Sequence, residues 1–243
     1  NTLLITEKTM HDKTRETTDT VVTMLRQAGL VAYPASELEY SYYHSHGLDV
    51  PQVGEISDVT ESSRYSAKPV QALWLSQGEV QSDNTVDTAW LQYINKDIAE
   101  RMFLPHATDG LLHCVLDNNA VILEITCNAD IGMFQDFNAL VWKSRFSNGT
   151  YEDVREYQDD DGNWYEEWFE VNVSRDDVIS DALYYCDIDY ARLREIGVDA
   201  IRVRGEEFAD NVQSFLYGWD IDSLAILRGD CVVEMIPVEA KQY

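Results

Sequence analysis

Hydrophobic residues along the chain cluster in short runs broken by polar turns, and only a few stretches hold a helical period. Residues Thr14 to Gln27 predict a helix. Val21, Val22, Met24 and Leu25 sit on neighbouring turns there, and Gly29 suits a C-terminal stop. Tyr33 to Arg64 has no sustained period and reads as a long loop with short strands. Gln71 to Ser76 predicts a strand. Asn84 to Phe103 predicts the clearest helix, with Leu91, Ile94, Ile98 and Met102 along one face and Asp83, Asn84 and Thr85 as caps.

Leu111 to Leu116 and Ala120 to Thr126 are apolar runs around Asp117-Asn118-Asn119, a hairpin pattern. Tyr151 to Val173 alternates around Asp159-Asp160-Asp161-Gly162-Asn163 and predicts a second hairpin with an acidic turn. Asp187 and Asp189 are caps for a helix through Tyr190 to Ile196 that Gly197 ends. Asp199 to Val203, Ser223 to Leu227 and Cys231 to Ile236 predict strands. Many strands and few helices, out of strict alternation, predict an α+β domain of mixed, mostly antiparallel sheets. One domain over residues 1–243 is expected, with a helical segment over 1–39 and a core over 40–243.

Composition adds one strong feature. Among 243 residues, 44 are acidic and 18 basic, a formal net charge of −26. The few Lys and Arg form no stripe, which argues against nucleic-acid binding through a basic patch. It leaves a solubilising surface, a mimic of the nucleic-acid backbone, or a partner for a basic protein. Cys114, Cys127, Cys186 and Cys231 form no C-x-x-C pair and read as reduced thiols. No apolar run is long enough to span a membrane. A cytoplasmic location is expected, including that of an infected bacterial host, or association with a virion.

Several chemical motifs fail on spacing. With Gly162 as the sixth position of a calcium loop, the first and twelfth ligands would be Tyr157 and Trp168, and neither side chain coordinates calcium. His44-x-His46 offers two ligands where zinc takes three or four, so no metal site is expected. His113 and Cys114 are adjacent, and neighbours on a strand face opposite ways. Trp164-Tyr165-Glu166-Glu167-Trp168-Phe169-Glu170 sets aromatics among acids. The favoured reading is a hairpin strand with one buried face, and the other is a protein-binding edge.

Two segments carry more. One is Lys68-Pro69-x-x-Ala72-Leu73-Trp74-Leu75-Ser76, and the other is Tyr217-Gly218-Trp219-Asp220-x-Asp222-Ser223. Each places a Trp and polar residues at the edge of a short apolar strand. Together with Thr88-Ala89-Trp90-Leu91 and Asp199-Ala200-Ile201-Arg202-Val203, they resemble a group of bacterial and phage proteins. That group carries K-P-x-G-G-L-W-x-S, T-x-W, Y-D-A-V and Y-G-W-D-x-E-S segments. Its layout is similar to the ADP-ribosyltransferase fold, with a His or Arg on an early strand, a Ser or Tyr on a middle strand and an acid on a late strand. In this chain the glycine pair is Gln71-Ala72, and the late Glu is Asp222, one methylene shorter.

The resemblance implies NAD as substrate and a macromolecular acceptor, protein or nucleic acid. It implies Asp222, with Asp220 nearby, as the late acid that stabilises an oxocarbenium-like state. His46, with His44 second, would hold the adenosine side. Tyr65, Ser66 and Ser76 would supply the middle element, and Lys68 and Trp74 would join them in binding NAD. On this reading the two segments border one cleft facing His44 and His46. The rival reading is a non-catalytic acidic interaction protein, either a virion component or an inhibitor that mimics nucleic acid.

Overall fold

The computed structural model describes residues 17–46, 49–61, 69–96, 110–146, 149–158, 163–204 and 222–242. Helix α1 covers 17–27. Strands β1 (Val31–Pro34), β2 (Ser41–His46), β3 (Leu73–Val80) and β4 (Val86–Thr88) precede α2 (Ala89–Lys96). Then come β5 (Gly110–Leu116), β6 (Val121–Ile125), the short helix α3 (Asn128–Gly132) and β7 (Leu140–Trp142). A hairpin of β8 (Thr150–Gln158) and β9 (Trp164–Asn172) leads to α4 (Arg175–Tyr185), β10 (Cys186–Ile188) and α5 (Tyr190–Glu195). Strands β11 (Ala200–Val203), β12 (Ser223–Ile226) and β13 (Val232–Val238) follow. The class is α+β, mostly sheet with few helices. No helix among the described residues is long and apolar enough to cross a membrane.

Among the described residues, one large sheet runs β1-β6-β11-β12-β3-β2-β5-β13, with β4 paired to β3. Only β6 and β11 are parallel neighbours; the other pairings are antiparallel. Strands β6 and β11 are buried along their whole length, as expected of central strands covered on both faces. One face packs under α1, α3, α4 and α5 through Val21, Leu25, Ile131, Leu183, Leu193 and Ile201. The opposite face holds a second core of Tyr42, Leu75, Leu112, Ile122, Leu224 and Val232. A third cluster of Tyr43, Val86, Leu91, Ile94 and Leu111 sits under α2.

Three sequence expectations are corrected. The runs flanking Asp117-Asn118-Asn119 do not pair with each other: β5 joins β2 and β13, while β6 joins β1 and β11. The turn does form, with Asn119 N–H donating to Asp117 Oδ1 at 2.8 Å. However, other segments take the flanking backbone groups. Asp117 N–H donates to the Cys231 carbonyl and Ala35 N–H to the Ala120 carbonyl, both at 2.8 Å. The turn therefore carries the chain between distant strands of the sheet.

Helix α2 starts at Ala89, not Asn84. Asp83 closes a local turn by accepting from Thr85 N–H at 3.0 Å, and Asn84 adopts φ +67°. Val86–Thr88 then pairs with β3, and Thr88 Oγ1 caps the helix by accepting from Leu91 N–H at 3.1 Å. Asp189, not Asp187, caps α5 by accepting from Arg192 N–H at 2.9 Å; Asp187 lies in β10.

Candidate functional site

The early, middle and late strands named by the resemblance are consecutive neighbours. Strand β12 pairs with β3, with Ser223 opposite Ser76, and β3 pairs with β2, with Ser76 opposite Tyr43. Directly opposite residues share a face, and neighbours along a strand alternate. Tyr43, Ser76, Trp74 and Ser223 therefore face the helix-covered side, where Trp74 packs against the first core. Tyr42, His44 and His46 face the other side. Asp222, one residue before Ser223, also faces that side and lies 4.0 Å from Arg202 Nη2. So Asp222, His44 and His46 are brought to one face, while Trp74 and Ser76 are not. Tyr65, Ser66, Lys68 and Asp220 lie outside the described residues.

An ion network builds the far end of this face. Glu124 on β6 is nearly enclosed, at 3% exposure. Its carboxylate accepts from Arg202 Nη1 at 3.1 Å and from the Tyr33 hydroxyl at 2.6 Å. Arg204 Nε closes on its other oxygen at 2.8 Å. Burial and the Glu124 hydrogen bond raise the Tyr33 hydroxyl well above the ordinary tyrosine range. Burial alone would lower the Arg202 pKa, but Tyr33, Tyr42 and Glu124 outweigh it and hold the guanidinium charged. Asp222 is half-buried at the edge of this network, 4.0 Å from the Arg202 guanidinium.

Two buried polar atoms near the network have no protein partner among the described residues: the Tyr42 hydroxyl and Arg202 Nε. Such atoms are costly to bury unmatched and mark where a polar ligand would be held. Burial pushes the Tyr42 hydroxyl up to about 12, with Arg202 opposing and Asp222 adding. It stays a neutral donor at physiological pH.

His44 Nδ1 lies 2.9 Å from the Trp74 carbonyl. Burial lowers its pKa despite that carbonyl, so the ring is neutral near pH 7 with Nδ1–H donating. Its Nε2 is then an acceptor. The His46 ring lies over Gly110, where an added Cβ would collide with it. Gln71 adopts φ +62°, a left-handed conformation, at the first position of the related glycine pair.

Glu124, Arg202, Arg204, Tyr33 and Tyr42 were not among the expected site residues. A signal was present in V-I-L-E-I and A-I-R-V-R, each an apolar strand interrupted by a charge. A charge within a buried strand needs a partner, and here each serves the other. Among the described residues, no group of three or more His, Cys, Asp or Glu could hold a metal ion. Comparison of the chain with protein-family models, curated proteins and solved structures gave no match.

A separate cavity of about 390 Å³ is lined by Thr18, Asp117, Val121, Asp199, Arg228 and Cys231, among others. Asp199 accepts from Val121 N–H at 2.7 Å and lies 3.1 Å from Arg228. Burial nonetheless pushes its carboxyl up to about 6, outweighing both contacts.

Proposed function

We propose that the chain is an ADP-ribosyltransferase-like enzyme that uses NAD to modify a macromolecular target. One observation carries this reading: the adjacency of β12, β3 and β2, with Asp222, His44, His46 and Tyr42 on one face. Strands lie about 4.8 Å apart with a rise of about 3.4 Å per residue, so the backbones at Asp222 and His44 are about 12 Å apart. That span suits an extended dinucleotide. The left-handed Gln71 also fits the reading, because the related pattern has a glycine there.

In the reaction, the bond between ribose C1′ and the nicotinamide nitrogen breaks. Its electron pair goes to the nicotinamide, which leaves neutral. Positive charge builds on C1′ and the ring oxygen, and Asp222 offsets it while accepting from a ribose hydroxyl. An acceptor nucleophile bonds to C1′ and releases its proton. Arg202, 4.0 Å away, orients Asp222. Tyr42 donates from its unmatched hydroxyl, and His44 Nε2 accepts from a hydroxyl on the adenosine side. Trp74 serves as a core anchor under this face, not as a stacking platform beside Asp222.

The test is an NAD titration read by thermal shift and by nicotinamide release. A ligand at ten times its Kd stabilises by about 1.4 kcal/mol, a shift of about 3–5 °C for a chain of this size. That shift should vanish in Asp222→Ala and shrink in His44→Ala. No shift at millimolar NAD, or an equal shift in Asp222→Ala, sinks the proposal.

A second reading, the non-catalytic interaction protein, is favoured by one observation: Trp74 and Ser76 face away from Asp222. Unchanged stability with NAD would favour it.

A further inference from the structure

The β8–β9 hairpin belongs to neither the large sheet nor the β7–β10 pair. Its base is held by Val173 N–H donating to the Gly149 carbonyl at 2.7 Å and by Tyr151 set edge-on to buried Phe146. Beyond that base both faces are open. Trp164 is 70% exposed and Trp168 62%, with Val154 and Phe169 also exposed. The expected buried face is therefore absent from these strands. Two large indoles in water on an unsupported hairpin are an unfavourable arrangement for an isolated chain.

The two faces differ in charge. One carries Asp153 opposite Phe169 and Arg155 opposite Glu167, so opposite charges meet across the strands. The other carries Glu152 opposite Glu170, Val154 opposite Trp168, Glu156 opposite Glu166, and Gln158 opposite Trp164. Like charges directly opposite destabilise a strand pair. Here two such pairs flank an exposed indole. Among the described residues none of these four glutamates makes an ion pair.

We propose that this glutamate–tryptophan face docks an arginine-rich segment of a partner protein. Each glutamate pair makes a site for one guanidinium, which forks between two carboxylates. The pairs sit four residues apart, about 13 Å along the strand. Trp168 between them, and Trp164 beyond, take further guanidinium groups on their faces. A cationic segment removes the repulsion within both glutamate pairs and covers the indoles together. Nucleic acid is disfavoured by the same carboxylates. The proposal uses none of the residues assigned to NAD, so either reading can fail without the other.

The test uses a fluorescein-labelled twelve-residue peptide alternating arginine and glycine, titrated with the full chain in 50 mM salt. A glutamine-for-arginine peptide is the control. Saturable binding of the arginine peptide alone is expected, weakened at least tenfold at 300 mM salt. Glu156→Gln with Glu166→Gln should weaken it at least tenfold, and Trp168→Ala at least fivefold. Asp153→Asn with Glu167→Gln removes the same two charges from the other face and should change affinity less than twofold. All of these side chains are exposed, so circular dichroism and melting temperature should stay unchanged.

Equal loss in both double variants would show a general charge effect and overturn the proposal. So would equal binding of the glutamine peptide. A concentration-dependent dimer in sedimentation that Trp168→Ala dissolves would name a second copy of the chain as occupant, and would equally overturn it.

Discussion

Asp199 makes a carboxyl that is easier to ionise in the unfolded chain than in the folded one. Its pKa rises from 3.8 to about 6 on folding, because burial outweighs the Val121 N–H and Arg228. The folded state therefore holds the proton more tightly. The stability from this group is fully present well below the unfolded value of 3.8 and is lost as pH rises through about 6. A rise of about 2.2 pK units at about 1.36 kcal/mol each gives about 3 kcal/mol. Asp199→Asn cannot ionise, yet its amide oxygen can still accept from Val121 N–H. Unfolding by urea at five pH values from 4 to 8 measures the effect as a difference between variant and parent, which cancels the other carboxylates. The variant should gain about 2.4 kcal/mol on the parent between pH 4 and pH 8, because the unfolded carboxyl is already more than half ionised at pH 4. A flat difference would refute the argument. That flat difference is what an Asp199 held ionised throughout by the Arg228 contact would give.

Two further substitutions probe the face that carries Asp222. Glu124→Gln leaves Arg202 and Arg204 without their shared counter-charge and should cost about 3 kcal/mol in urea unfolding, as breaking a buried ion pair does. Arg204→Gln, on the exposed side of the network, should cost under about 1 kcal/mol; equal losses would argue against a buried network. Gln71→Gly should raise stability by about 0.5–1 kcal/mol, because the left-handed backbone there costs a glutamine more than a glycine. Loss of stability in that variant would assign the exposed Gln71 side chain a contact of its own.

Local signals in the sequence carried the elements that depend on nearest neighbours. The 151–173 hairpin was legible from its length, its alternation and its acidic turn. The cap on α5 was legible from Asp189 ahead of an apolar run. Helix α4 was not. Its Ser174 and Asp177 form a reciprocal cap, with Asp177 where the usual pattern has Glu or Gln. Its buried positions are only Val178, Ala182 and Leu183, and Asp181 breaks the helical backbone at φ −149°. The β5–β6 connection misled for a different reason. A turn of Asp-Asn-Asn fixes its own few residues, but the flanking strands pair with segments between 64 (His46–Gly110) and 127 (Leu111–Val238) residues away.

The candidate site shows the same boundary more sharply. Period-two alternation tells from sequence that His44 and His46 share a face, that Trp74 and Ser76 share one, and that Asp222 opposes Ser223. It does not tell which of these faces coincide, because that depends on register between strands. A shift of one residue between β3 and β12 would have put Asp222 on the side of Trp74 and Ser76. The observed register, Ser223 opposite Ser76 opposite Tyr43, sets Asp222 with the histidines instead. That register is held by the two cores. Leu75 and Leu224 enter one, and Ala225 and Trp74 enter the other, so a slip would expose both sets at once. The packing that hides these strands from solvent thus also decides which polar residues can act together. It assigns Arg202, Glu124 and Tyr42 to Asp222 as surely as it removes Trp74 from it.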